Sequence, residues 1–294
     1  MSASSVLYDA PGPRARRLSR IASTVILVAL AALGSWFVWR IGQPRTTVNG
    51  AVLSGVWDPS RWDIFTNATV WEDLILRGLV MGTLRAAGLA AVLALILGVL
   101  LCFARSAKSA YIRIPTAILL EFFRGLPVLL MMLFIMLAVG TNGYWAVVAA
   151  LTIYNGAIIG EALRAGIAAL PKGQREAGLS LGLTGTATKL LIEFPQAFRQ
   201  MLPIIVAQLV VLLKDTSLAY VVAYPEILRK ADSLKQFYGN RYAFSLFFVV
   251  LVIYLIVNFT LSALARWLSK RTGPKSDLAL VTQSTRSADA PAGL

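Results

Sequence analysis

Long apolar runs alternate along the chain with short polar or turn-forming connections. Six runs reach the roughly 20 predominantly apolar residues that a membrane span needs: residues 21–39, 74–103, 115–139, 144–169, 201–224 and 242–268. Each predicts a transmembrane helix, so the expected fold class is all-α, a polytopic membrane protein with six transmembrane helices. The same pattern divides the rest. Residues 1–20 form a basic tail, 40–73 a loop with Pro44, Gly50, Gly55 and Pro59, 74–271 the main membrane domain, and 272–294 a Ser/Thr/Ala/Pro tail of disordered composition. Within 74–271 the stretch 170–195 is too polar to span.

Composition sharpens this picture. The chain is 57% hydrophobic and 14% charged, against about a quarter charged for a soluble domain. It has no histidine and one cysteine, Cys102. An intrachain disulfide, a zinc site built on His and Cys, and histidine acid–base catalysis are therefore excluded. The net charge of +14 comes from short basic clusters between apolar runs, which fit topology signals better than a nucleic-acid face. With the N-terminus inside, 17 of the 28 Lys and Arg fall on the inner side, 8 on the outer side, and Arg85, Arg124 and Lys214 within apolar runs. This bias places both termini in the cytoplasm and the protein in the cell membrane as a multi-pass chain. Trp36, Trp39, Trp71 and Trp145 then fall near the outer interface. Arg14–Arg20 followed by an apolar run, with Ala29-Leu30-Ala31, also has the form of a cleavable signal. The run continues well past that point into a Trp-rich flank, which favours a retained span.

Charges inside spans need partners, a cavity or water. Glu121 with Arg124, and Glu161 with Arg164, are three residues apart and can pair on one helical face. Arg85 lies about two turns into its span with no acid nearby in sequence. Its position is compatible with snorkelling outwards or with facing a translocation path. Lys214, Asp215, Thr216 and Ser217 cannot all face lipid. Arg85, Asn155, Lys214, Thr216 and Ser217 are the candidate lining of a substrate pathway. The pairs Gly78/Gly82 and Gly156/Gly160 have the spacing that lets helix backbones approach in lipid. No residues form a catalytic constellation or a metal site.

The polar stretch 170–195 predicts a compact two-helix element. Pro171 can open a first helix and Gly182 can end it in the left-handed conformation. Thr184 or Thr186 can cap a second helix, expected to run until Pro195, with Glu176 exposed near the tip.

The spacing Glu176-Ala177-Gly178, then Gly182, Ile192 and Phe194-Pro195, resembles the EAA loop of ATP-binding-cassette importer permeases. Gly178 stands where that pattern has Ala, and Phe194 where it has Leu. Three further elements are similar to the polar amino-acid (histidine/glutamate/glutamine) branch, in the same order along the chain. They are Glu121-Phe-Phe-Arg-Gly-Leu-Pro127, with Leu126 for Thr; Asn155-Gly-Ala-Ile-Ile-Gly-Glu-Ala-Leu-Arg-Ala-Gly166; and Lys214-Asp-Thr-Ser-Leu218. The resemblance covers roughly residues 77–271. It implies a type I permease core of five helices, with 21–39 as an additional N-terminal helix. It also implies partners: a cytoplasmic ATPase dimer, a second permease subunit (related or identical) and an extracytoplasmic amino-acid-binding protein. Glu176, Ala177, Gly178, Gly182, Ile192 and Pro195 would then couple to the ATPase.

The chain itself lacks a phosphate loop. The nearest stretch, Gly182 to Lys189, has Thr188 where the glycine before the lysine must stand. No cofactor is expected, ATP being bound by a partner, and the chain reads as a transporter subunit rather than an enzyme. An ion-gradient-driven secondary transporter would need no ATPase but typically shows repeated halves, and none was found. A membrane-embedded enzyme would have only Asp and Glu to work with. Positive charge at Arg85 and Lys214 suits an acidic or neutral polar cargo, and the resemblance to polar amino-acid permeases makes glutamate or another polar amino acid the leading expectation.

Overall fold

The computed structural model describes residues 12–46, 50 and 52–272; the tail expected at 272–294 lies outside them apart from Thr272. The chain separates into two compact units, Met1–Thr66 and Asn67–Leu294. In the first, helix α1 (Pro13–Gly42) starts eight residues earlier than the apolar run predicted. Pro13 is pre-set for the first helical turn, and the following arginines are good helix formers, so the basic segment 14–20 is helical. The loop that follows is not wholly irregular. It holds a two-residue antiparallel ribbon, β1 (Arg45–Thr46) with β2 (Val52–Leu53), Arg45 opposite Leu53, and two 3₁₀ turns, Pro59–Arg61 and Asp63–Thr66. Trp57 donates its indole N–H to the Val38 carbonyl at 3.0 Å.

The second unit is helical. Helix α2 (Ala68–Arg105) begins at the Asn67 cap, whose side chain accepts from the Thr69 N–H at 3.0 Å. It is wound more widely over Glu72–Leu84. A stripe of small residues, Ala86, Ala90, Ala94, Gly98 and Cys102, is buried along one face. Helix α5 (Gly143–Ala168) packs on that stripe. A Cβ on Gly98 would lie 2.7 Å from the Ile159 methyl, and one on Gly160 3.0 Å from the Gly98 carbonyl oxygen. With no hydrophobic drive between helices in lipid, such close backbone approach supplies the packing.

The third expected span, 115–139, is corrected. The chain forms α3 (Ala110–Gly125) and α4 (Val128–Val139), bent by 105°. Pro127 crowds the residue before it out of the helical region, and Leu126 is extended, φ −85° and ψ 134°. Among the described residues five helices are long and apolar enough to cross a membrane, and the bent pair is a sixth crossing if taken as one span.

Helix α6 (Lys172–Ser180) leads into α7 (Gly185–Tyr220), and here too the expectation changes. The second helix of the polar stretch does not stop at Pro195. It runs on into the membrane, so no break separates it from the span expected to start at residue 201. A wider turn over Lys189–Glu193 precedes Pro195 and accommodates a residue that lacks an N–H and collides with a regular helical turn. Helix α8 (Ile227–Tyr238), not foreseen in a connection read only as polar or turn-forming, buries Ile227, Ala231 and Leu234 against α2 and α9 (Ala243–Thr272).

Candidate functional site

The stretch between α5 and the membrane part of α7 is built from local signals. Gly182 adopts φ +80°, a conformation open to glycine at little cost. Around it the Leu183 N–H donates to the Gly178 carbonyl at 3.2 Å and the Gly182 N–H to Leu179 at 3.0 Å, the paired bonds of a Schellman stop. Of the two candidate caps Thr184 is the one used: its hydroxyl accepts from the Ala187 N–H at 3.2 Å. Glu176 and Ala177 are exposed on α6. Gln196 donates to Gln174 at 3.0 Å, which ties α7 to α6. Lys189 donates to the Ser106 carbonyl at 2.8 Å, which ties α7 to the end of α2. Phe103 and Phe194 meet below this bond with ring centroids 5.0 Å apart.

Gly178 explains one departure from the EAA pattern. A Cβ there would lie 2.6 Å from the Thr188 methyl and 2.9 Å from Cδ1 of Ile192. The β-branched Thr188 occupies the space an alanine would take. Gly178→Ala should therefore destabilise the α6–α7 contact by about 1–2 kcal/mol, and Thr188→Ser in the same chain should relieve most of it. Limited proteolysis at 170–195 would check this; equal cleavage of the single and double variants would contradict the contact.

Both expected ion pairs form. Arg164 holds Glu161 with Nη2 to Oε1 at 2.6 Å and Nε to both oxygens at 2.9 Å. The Arg124–Glu121 contact is longer, 3.5 Å, and more exposed. The five pathway candidates separate. Lys214 and Ser217 share a groove of 620 Å³ between α7, α8 and α9, mostly apolar, with Tyr254 and Asn258 on its far wall. The buried Asn258 Oδ1 has no hydrogen-bond partner. Thr216 and Asn155 are fully buried. The Thr216 hydroxyl donates to Leu213 at 2.6 Å, and Asn155 accepts from Gln208 at 2.9 Å while donating to Leu151 at 2.8 Å. Neither lines that groove: Asn155 joins α5 to α7. Arg85 sits over the Tyr144 ring, 5.0 Å from its centre, so its charge has a partner. No group of three or more Asp, Glu, Cys or His positioned for a metal occurs among the described residues.

The sequence matches, over residues 90–274, the family described as binding-protein-dependent transport system inner membrane component. The chain belongs to this family. The permease is 38% identical over 220 residues to the glutamate transport system permease protein GluD of Corynebacterium glutamicum, covering 72% of this chain and 80% of that one. It is 36% identical over 210 residues to the probable glutamine ABC transporter permease protein GlnP of Bacillus subtilis, covering 69% and 94%. Among solved structures, an amino acid ABC transporter crystallised with histidines superposes with a TM-score of 0.63 at 28% identity, covering 70% of the permease and 98% of that chain. The permease is thus an inner-membrane transport component. The family match begins inside α2 and leaves α1 outside it.

Three parts of the permease escaped sequence reasoning. Gln208 and Tyr144 carry no local signal, because their partners Asn155 and Arg85 lie in other helices. Glu226 did carry one: an acidic residue just before Ile227, with apolar positions four and seven residues further on and Gly239 after the end, marks a capped amphipathic helix.

Proposed function

We propose that the permease moves a polar amino acid, glutamate or glutamine, into the cytoplasm as the membrane subunit of an ATP-driven importer. The observation that carries this reading is the continuity of α7: the capped helix that starts the second half of the EAA-like element is the same helix that reaches Lys214 and Ser217 in the membrane groove. A displacement of α6 and the start of α7 would reach the groove through one 36-residue helix, with Lys189 and Gln196 holding its root. In this reading two ATPase subunits each receive one such element, with Glu176 against a basic residue and Ala177, Gly178, Gly182, Ile192 and Pro195 shaping it. A second permease subunit, related or identical, completes the pathway, and an extracytoplasmic binding protein delivers the cargo. ATP binds to the partner subunits, and this chain needs no cofactor. The cargo class is supported by the relatives named for glutamate and glutamine transport and by the cationic Lys214 in the groove.

The test is uptake of labelled glutamate and glutamine by proteoliposomes holding the permease with its ATPase and binding protein. ATP should drive accumulation of at least one of them. Glu176→Lys should cut the ATP-driven rate at least tenfold while leaving the chain folded. Uptake that ignores ATP, or a Glu176→Lys rate equal to wild type, would overturn the reading.

A further inference from the structure

Beneath the exposed face of α6 lies a second groove, of 420 Å³, between the end of α5, α6 and the start of α7. Its size falls within the range of small-molecule pockets, ~300–1,000 Å³. Lys172, Arg175 and Glu176 line it from α6, and Lys189 and Glu193 from α7. Glu193 as a residue is only 7% exposed, but its carboxylate oxygens open into the groove, and among the described residues no hydrogen bond or ion pair reaches them. A carboxylate on a largely buried side chain, open to a cavity and without a protein partner, is free to accept from a ligand. Lys172 and Arg175 are exposed and likewise have no ion pair, while Lys189 is held by the Ser106 carbonyl.

The charge pattern selects the ligand. A bare cation suited to Glu176 and Glu193 meets three basic side chains, Lys172, Arg175 and Lys189. A simple anion suited to Lys172 and Arg175 meets the carboxylates of Glu176 and Glu193. A ligand bearing both signs satisfies both ends. We propose that this groove binds a free zwitterionic amino acid on the side of the membrane carrying α6, with Glu193 accepting from the ammonium and Arg175 and Lys172 taking the carboxylate. This inference rests on the transport reading and deepens it. The bound amino acid bridges α6 to the start of α7 and the end of α5, the joint that must move during coupling. The delivered cargo therefore slows its own import.

The experiment is ATP-driven uptake by proteoliposomes holding the full complex, preloaded with unlabelled glutamine or glutamate on the α6 side. Each rate is compared with the same protein's unloaded rate. Preloading should inhibit, and Glu193→Gln and Arg175→Gln should each raise the half-inhibiting concentration about tenfold or more. Equilibrium binding of labelled glutamine and glutamate to the purified permease should fall by the same factor. Uptake unaffected by preloading, or inhibition and binding equal in the variants, overturns the inference and leaves the transport reading standing. Absence of ATP-driven uptake for any amino acid overturns the transport reading. Reduced assembly of Glu193→Gln with the ATPase, without any effect of free amino acid, would assign the groove to a protein side chain and also overturn the inference.

Discussion

Gly82→Ala should destabilise the membrane unit by about 2–3 kcal/mol, a fall of roughly 5–10 °C in the unfolding midpoint of the detergent-solubilised protein. The added methyl would lie 2.5 Å from the Pro225 carbonyl oxygen and 2.9 Å from the Glu226 Cα. Both are backbone atoms, with no rotamer to move out of the way. They are also held from their own side: the Tyr224 hydroxyl donates to the Gly82 carbonyl at 3.0 Å, and the Ile227 N–H reaches the Thr83 hydroxyl at 3.4 Å. Relieving the clash means parting α2 from the start of α8 and giving up these bonds. Gly88, further along the same helix, is the control, because a Cβ there meets nothing within 4 Å. Gly88→Ala should be neutral or slightly stabilising, since alanine restricts the unfolded chain. Equal effects at 82 and 88 would show that helix propensity, and not the α2–α8 contact, sets the cost.

The glycine at 82 also shows where sequence reasoning succeeds. Its pairing with Gly78 signals close packing, but the partner, a loop 140 residues later, is a tertiary fact. The same division runs through the molecule. The stop at Gly182 and the cap at Thr184 were legible because a left-handed glycine and a capping hydroxyl act on neighbours a few residues away. The crossings were legible because burial of apolar length in lipid needs only composition. Hydropathy failed at helix ends, since the segments 13–20 and 185–200 are helical although too polar to read as part of a span. It also failed at Leu126-Pro127, where the run stays apolar while proline chemistry turns the backbone by 105°. At the candidate site, charge spacing found Glu161 with Arg164 because they share a helix turn. It did not find the Asn155–Gln208 bridge, because the two residues lie in different helices.

The second large effect is a pH dependence centred on Glu226, in the connection between the membrane helices α7 and α9. Its carboxylate is fully buried, and burial pushes its pKa up to about 7. Three donors oppose the shift without cancelling it: the N–H groups of Leu228 at 2.8 Å and Arg229 at 2.7 Å, which it caps, and the Tyr254 hydroxyl at 3.1 Å. With the folded value above the unfolded one, the folded protein holds the proton that the unfolded chain has already released. Stability is therefore greatest below the ordinary carboxylate range, falls as pH rises from about 4.5 to about 7, and is level above that. The full loss corresponds to about 3 kcal/mol. Glu226→Gln keeps an oxygen for the helix cap and cannot ionise. Its unfolding midpoint should change little over this window, matching or falling slightly below wild type at pH 5 and exceeding it at pH 8. Midpoints at pH 5, 6, 7 and 8 for the two proteins decide the matter, and parallel profiles would place the titration elsewhere. The consequence reaches α2, because the loop that carries Glu226 is the one pressed against Gly82. Ionisation weakens the joint from the same side that the added methyl does. Combining Gly82→Ala with Glu226→Gln should therefore give less than additive destabilisation at pH 8, where the second change removes a burden the first has made heavier.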